Sequence, residues 1–165
     1  MRCFFVLILA LPFLASAQET LGGDCKLHRD SDPYTKETVL STGFFSVDIA
    51  SVDISANRFE IDLFFTVSNN CFDNNSTALI FFEGSKLKLT ARNAGSMNCD
   101  GNFHIIFKNS ATHPSLLQKM MNQKIAEIRL VGSNKKETVV SFLPDQQKFS
   151  ELLKCLVTEG KKLIR

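Results

Sequence analysis

The stretch FEIDLFFTV, residues 59–67, decides the fold class. Phe59, Ile61, Leu63, Phe65 and Val67 occupy every second position, with Glu60, Asp62, Phe64 and Thr66 between them. A period of two puts the first set on one face of a β-strand and the second on the other. One face is turned to a core and the other is mostly wetted, as in an antiparallel sheet.

The flanking segments extend this pattern. Residues 39–55 are rich in β-branched and aromatic side chains, interrupted near Gly43 and Ala50, and Ala56-Asn57-Arg58 reads as a turn. Residues 68–77 (SNNCFDNNST) are a loop by composition. A short apolar strand over 78–82 turns at Glu83-Gly84-Ser85 into 86–92, where Leu87, Leu89 and Ala91 are expected to face inward. Residues 93–101 form a second loop, and 103–108 another strand. His113-Pro114-Ser115 leads into a short helix over 115–122, with Leu116, Leu117, Met120 and Met121 on its inner side. Strands at 125–131 and 137–142 form a hairpin around Gly132-Ser133-Asn134. Pro144 is placed at the start of a final helix. That helix carries Phe149, Leu152, Leu153, Leu156 and Val157 on one face, and Gly160 is expected to cap it. Strands follow strands without regular helical crossovers, so the class is α+β: an antiparallel sheet of about six or seven strands, with a short helix and a C-terminal helix packed on one face.

The N-terminus has the order of parts of an export signal. Arg2 precedes an apolar run, residues 4–15, and Ala15-Ser16-Ala17 has the small-x-small pattern cut by signal peptidase. The run is shorter than the roughly 20 residues needed to span a bilayer as a helix, and no later stretch is long or apolar enough to span. Residues 1–17 are therefore expected to be a signal peptide, and residues 18–165 a single secreted domain of a size that supports its own core. The formal net charge of +2 falls to +1 when Arg2 is removed, and the basic residues are dispersed. Nucleic-acid binding calls for a concentrated basic footprint, so no nucleic-acid partner is expected.

Cys25, Cys71, Cys99 and Cys155 remain beyond the signal. An even number of cysteines in an exported chain points to disulfides, and they lie too far apart for the close ligand pairs of a zinc site. Four cysteines allow three pairings. The favoured one joins Cys71 to Cys99, tying neighbouring sheet loops, and Cys25 to Cys155, pinning the N-terminal segment to the last helix.

No phosphate-cradling loop, nucleophile elbow or HExxH motif is present. The histidines at 28, 104 and 113 fall in the lead-in, a strand and a pre-helical turn, and no nucleophile–base–orienter set can be named. Asp30 and Asp32, and the oxygen-rich Asp73-Asn74-Asn75-Ser76, lack the spacing of a calcium loop and read as turns. No catalytic, metal or cofactor-binding residue is assigned, and no cofactor is expected. The region beyond residue 17 has no tryptophan and a single tyrosine, Tyr34, which counts against a carbohydrate-stacking surface. Phe44-Phe45, Phe64-Phe65 and Phe81-Phe82 each place one ring on either face of a strand. If one sheet face is left uncovered, Phe64 and its neighbours form an apolar contact face. Asn74 and Asn75 each begin an N-x-Ser/Thr sequon.

Asp24-Cys25 followed by Asp32-Pro33-Tyr34-Thr35 resembles the "DC…D-x-[FY]-T-G" opening of small secreted proteins of Bacteroidetes, with Lys36 where that pattern prefers glycine. Phe82-Glu83-Gly84-Ser85-Lys86-Leu87 and the ending Leu153-Lys154-Cys155-Leu156 are similar too. The group has no assigned activity, so the resemblance implies a periplasmic or extracellular location and nothing about chemistry.

The function expected from these features is non-enzymatic: a secreted or periplasmic binding module whose partner is a protein or an apolar ligand. One alternative is a small enzyme with a site built from loops, which would bring together two or more of His28, His104, His113, Asp73 and Asp100. Another is a protease inhibitor exposing residues 68–77 or 93–101 as a loop constrained by Cys71 and Cys99.

Overall fold

A computed structural model describes residues 25–164. The predicted signal peptide lies outside them. The strands are β1 (His28–Ser31), β2 (Thr38–Ser41), β3 (Phe45–Val47), β4 (Ala50–Ala56), β5 (Glu60–Thr66), β6 (Thr77–Phe82), β7 (Lys88–Arg92), β8 (Asn102–Lys108), β9 (Ile125–Val131) and β10 (Glu137–Ser141). The helices are α1 (Ser115–Asn122) and α2 (Gln146–Lys161).

The fold is α+β, with antiparallel strands divided between two sheets. The larger runs β1-β2-β4-β5-β8, with β3 beside β4; the smaller runs β10-β9-β6-β7. Among the described residues ten strands stand where about six or seven were expected from pattern alone. The added ones are short pieces at the start of the chain, where polar residues interrupt the alternation. Each sheet buries one face: Val52, Ile54, Leu63, Phe65, Phe103 and Ile105 in the larger, Ala78, Ile80, Ile128 and Leu130 in the smaller. These side chains join Leu117 and Met120 of α1 and Phe149, Leu153 and Leu156 of α2 in one continuous core. Helix α2 packs over β4 and β2, and α1 packs on α2. No helix among the described residues is long and apolar enough to cross a membrane.

Several local expectations are corrected. Phe59 is 55% exposed, because Asn57 Oδ1 accepts the Phe59 and Glu60 N–H groups and holds Phe59 in the turn before the ladder begins. The Arg58 guanidinium lies over that ring, 4.3 Å from its centroid. Leu87 is exposed rather than inward: Ser85 Oγ accepts its N–H, and β7 starts one residue later. Pro144 does not open α2 but sits in the turn closed by Asp145 N–H on the Phe142 carbonyl, and Asp145 is the N-cap. Gly160 is not a cap either. It lies inside the last turn of α2, buried, where a Cβ would come within 3.0 Å of Ala56 Cβ.

His113 carries the turn into α1. Its carbonyl accepts a hydrogen bond from Gln118 Nε2 at 2.7 Å, while neither nitrogen of its buried ring has a partner among the described residues. Burial first, and then the charge of Lys161, holds its pKa below the ordinary 6.5. Between the folded and unfolded values the folded state binds fewer protons, so stability falls as pH drops from 6.5 toward the folded pKa. The urea midpoint is expected to be lower at about pH 5.5 than at about pH 7.5, and the loss to shrink in His113→Phe. An equal loss in that variant would assign the acid sensitivity to other groups.

Candidate functional site

The outer face of the larger sheet is the surface to which most polar and aromatic side chains of interest are brought. Neither helix packs on it, and Phe44 and Ile106 there stay 65% and 40% exposed. Register builds it row by row. Asp53, Phe64 and His104 lie opposite one another across β4, β5 and β8. Ser55, Asp62 and Ile106 form the next row, which continues through Ser41 to His28.

A bulge between β2 and β3 shapes this face. Ser41 pairs with Ser55 and Phe45 with Val52, so residues 42–44 stand opposite only Asp53 and Ile54. Gly43 absorbs the extra residue with φ +69°, a region that costs a side chain strain. Polar side chains lock the bulge. Ser41 Oγ and Thr42 Oγ1 donate to Asp53 Oδ1 at 2.8 and 3.2 Å, and Ser41 Oγ accepts the Gly43 N–H at 2.8 Å. Thr42 Oγ1 accepts the Ile54 N–H at 3.1 Å. The result is that Phe44 points outward, its ring edge-on to Phe64 at 5.8 Å, while Phe64 lies 4.5 Å from the His104 ring. Three aromatic rings therefore run continuously across the strands. The doubled phenylalanines divide as expected, with Phe45, Phe65 and Phe82 turned to the core and Phe44, Phe64 and Phe81 outward. Phe81 belongs to the smaller sheet and sits under the Arg129 guanidinium.

His104 Nδ1 donates to Asp62 Oδ2 at 2.8 Å. Burial raises the Asp62 pKa above its ordinary value against the opposing hydrogen bond and charge of His104, and the nearby Asp53 adds to the rise. Among the described residues Asp62 Oδ1 is buried without a partner. Among the described residues no serine, threonine or cysteine side chain is hydrogen-bonded to His104, so the pair has a base and an orienter but no adjacent nucleophile.

The remaining sequence candidates do not converge. His28 sits against Gly43, and His113 is buried ahead of α1. Asp73 caps its own loop: its Oδ1 accepts from the Asn75 and Ser76 N–H groups and from Ser76 Oγ. The Ser76 hydroxyl first, with the loop N–H groups, lowers its pKa. Asp32 does the same for Tyr34 and Thr35. The described residues contain no group of three or more histidine, cysteine or acidic side chains that could hold a metal ion.

Two disulfides are formed, Cys25–Cys155 and Cys71–Cys99. The second joins the loops of residues 68–77 and 93–101, which also meet through the Phe72–Asn98 bridge. Two buried asparagines that pattern reading passed over as loop residues organise this region. Asn93 Nδ2 donates to the Asp73 and Gly95 carbonyls, and its Oδ1 accepts the Gly95 and His104 N–H groups. Asn70 bonds Thr138 of the smaller sheet. A polar residue between two loop runs was the only sequence signal for either role.

Comparison with protein-family models, with curated proteins and with solved structures finds no match to this chain.

Proposed function

We propose that this chain is a secreted or periplasmic interaction module that contacts a protein or apolar partner through the outer face of its larger sheet. The observation that carries this reading is the bulge at residues 42–44. Five hydrogen-bonding groups hold it so that Phe44, an apolar ring, stays in solvent beside Phe64. Bulges re-aim side chains at functional surfaces, and an aromatic ring held rigid in water binds with little ordering cost. The location is inferred from the two disulfides, the signal-like N-terminus and the resemblance to secreted Bacteroidetes proteins. The Asp62–His104 pair fits a positioning role for the aromatic strip, because Asp62 holds the His104 ring against Phe64.

The test is site-directed photo-crosslinking in the exported protein. A benzophenone side chain at position 44 is expected to give discrete adducts, and one at Val139 on the outer face of the smaller sheet to give none. Adducts at both positions alike, or at neither, would remove the larger sheet's face as the contact surface.

A further inference from the structure

We propose that residues 93–101 form the reactive-site loop of a serine-protease inhibitor, with Met97 as the side chain that enters the protease's specificity pocket. The proposal rests on a different part of the molecule from the aromatic strip.

Met97 is 61% exposed at the tip of the loop, between an exposed Ser96 and a half-buried Asn98. The chain on both sides of it is fixed. On the N-terminal side, the buried Asn93 side chain grips both the N–H and the carbonyl of Gly95 and ties them to Asp73 and His104. On the C-terminal side, the Asn98 main chain is bonded in both directions to Phe72, at 2.8 and 2.9 Å. The next residue is Cys99, covalently joined to Cys71. The Asn98 side chain then reaches back across the Met97–Asn98 peptide bond. Its Nδ2 donates to the Ser96 carbonyl at 3.1 Å and to the Asn102 carbonyl at 3.0 Å, and its Oδ1 accepts the Asn102 N–H at 2.9 Å. The loop of residues 68–77 has no apolar tip, since its exposed side chains are Ser68, Asn69, Asn74 and Asn75, and it acts as the support.

This geometry separates an inhibitor from a substrate. A protease serine oxygen adds to the Met97 carbonyl carbon as its proton passes to the protease histidine, and the bond to the Asn98 nitrogen breaks as that nitrogen takes the proton from the histidine. In a flexible chain the new amine diffuses away, and water releases the acyl group. Here the Phe72 carbonyl and the Cys71–Cys99 link keep the amine beside the acyl carbon. Its return attack re-forms the peptide bond and passes the proton back to the histidine, which returns it to the departing serine oxygen. Holding the two ends together makes the return step effectively unimolecular, so it outruns hydrolysis. The same rigidity reduces the ordering cost of binding. An unbranched apolar side chain at the tip selects a protease with an apolar specificity slot, such as chymotrypsin, over one with a carboxylate at its base.

The experiment uses the oxidised protein, chymotrypsin and trypsin, each with a chromogenic substrate. The wild-type protein is expected to inhibit chymotrypsin and to survive long incubation with it. Met97→Lys, a surface change that leaves the core untouched, is expected to move inhibition to trypsin, with a preference change of about 100-fold. Cys71→Ser/Cys99→Ser is expected to be cut between residues 97 and 98. The proposal is overturned if neither protease is inhibited by its matching variant, if the wild-type loop is cut rapidly, or if Met97→Glu inhibits chymotrypsin as well as the wild type does.

Discussion

Replacing Cys25 and Cys155 together by serine is expected to lower unfolding stability by about 5 kcal/mol. The link spans 130 residues of sequence, so its absence frees nearly the whole described chain in the unfolded state. The same chain-entropy reasoning gives about 3.5 kcal/mol for Cys71–Cys99, which spans 28. Domains of this size are stable by only about 5–15 kcal/mol, so the longer link decides whether the fold persists at all. Urea denaturation of the two double-serine variants checks both the size and the order of the losses. A smaller loss at Cys25–Cys155 than at Cys71–Cys99 would mean that β1 detaches from the native sheet once released, so that the constraint no longer acts on the folded state.

The second large effect is at Gly160. Helix α2 approaches β4 so closely there that a Cβ would lie 3.0 Å from Ala56 Cβ. The Gly160 carbonyl also accepts a buried hydrogen bond from Asn109 Nδ2 at 2.9 Å, and the same nitrogen donates to the Asn57 carbonyl at 2.7 Å. Gly160→Leu must push the last turn of α2 off the sheet, at about 1–3 kcal/mol for overpacking. It also breaks the Asn109 link, leaving a buried polar group unpaired at about 1–3 kcal/mol more. Gly160→Ala needs only a few tenths of an ångström of adjustment and gains about 1 kcal/mol of helix propensity, so it is expected to lie within about 1 kcal/mol of the wild type. Thermal denaturation of the pair separates the cases, and equal tolerance of alanine and leucine would contradict the close approach.

How much of this was legible depends on the range of the interactions involved. Helix α1 and strand β9 fall on the residues their periodicity marks, because local pattern and burial agree there. The division into two sheets was not legible. Strand β6 takes β9 as a partner, far along the chain, and both sheets carry the same inward alternation, so nothing local distinguishes them. The break near Gly43 was visible as an interruption, but its effect on Phe44 depends on Asp53, a β4 residue that gathers the hydroxyls of Ser41 and Thr42. Asp62 and His104 are 42 positions apart and meet only through the β5–β8 register. Asn93 and Asn98 look like ordinary loop residues until the fold brings the main chain of Asp73 and His104 to the one and of Asn102 to the other.

The short strand β1 has a consequence for self-association. All four of its residues are exposed, and with Arg29 and Asp30 it closes the edge of the larger sheet next to β2 as a polar, charged strand. Behind it, β2 reads TVLS and offers a partly apolar, uncharged ladder. Short charged strands are poor templates for a foreign chain, while an uncovered apolar one recruits neighbours. The link from Cys25 to α2 thus acts as a guard against clumping. Cutting that link frees the segment that holds β1 against β2, and once those four residues peel away the partly apolar β2 edge is open to other chains.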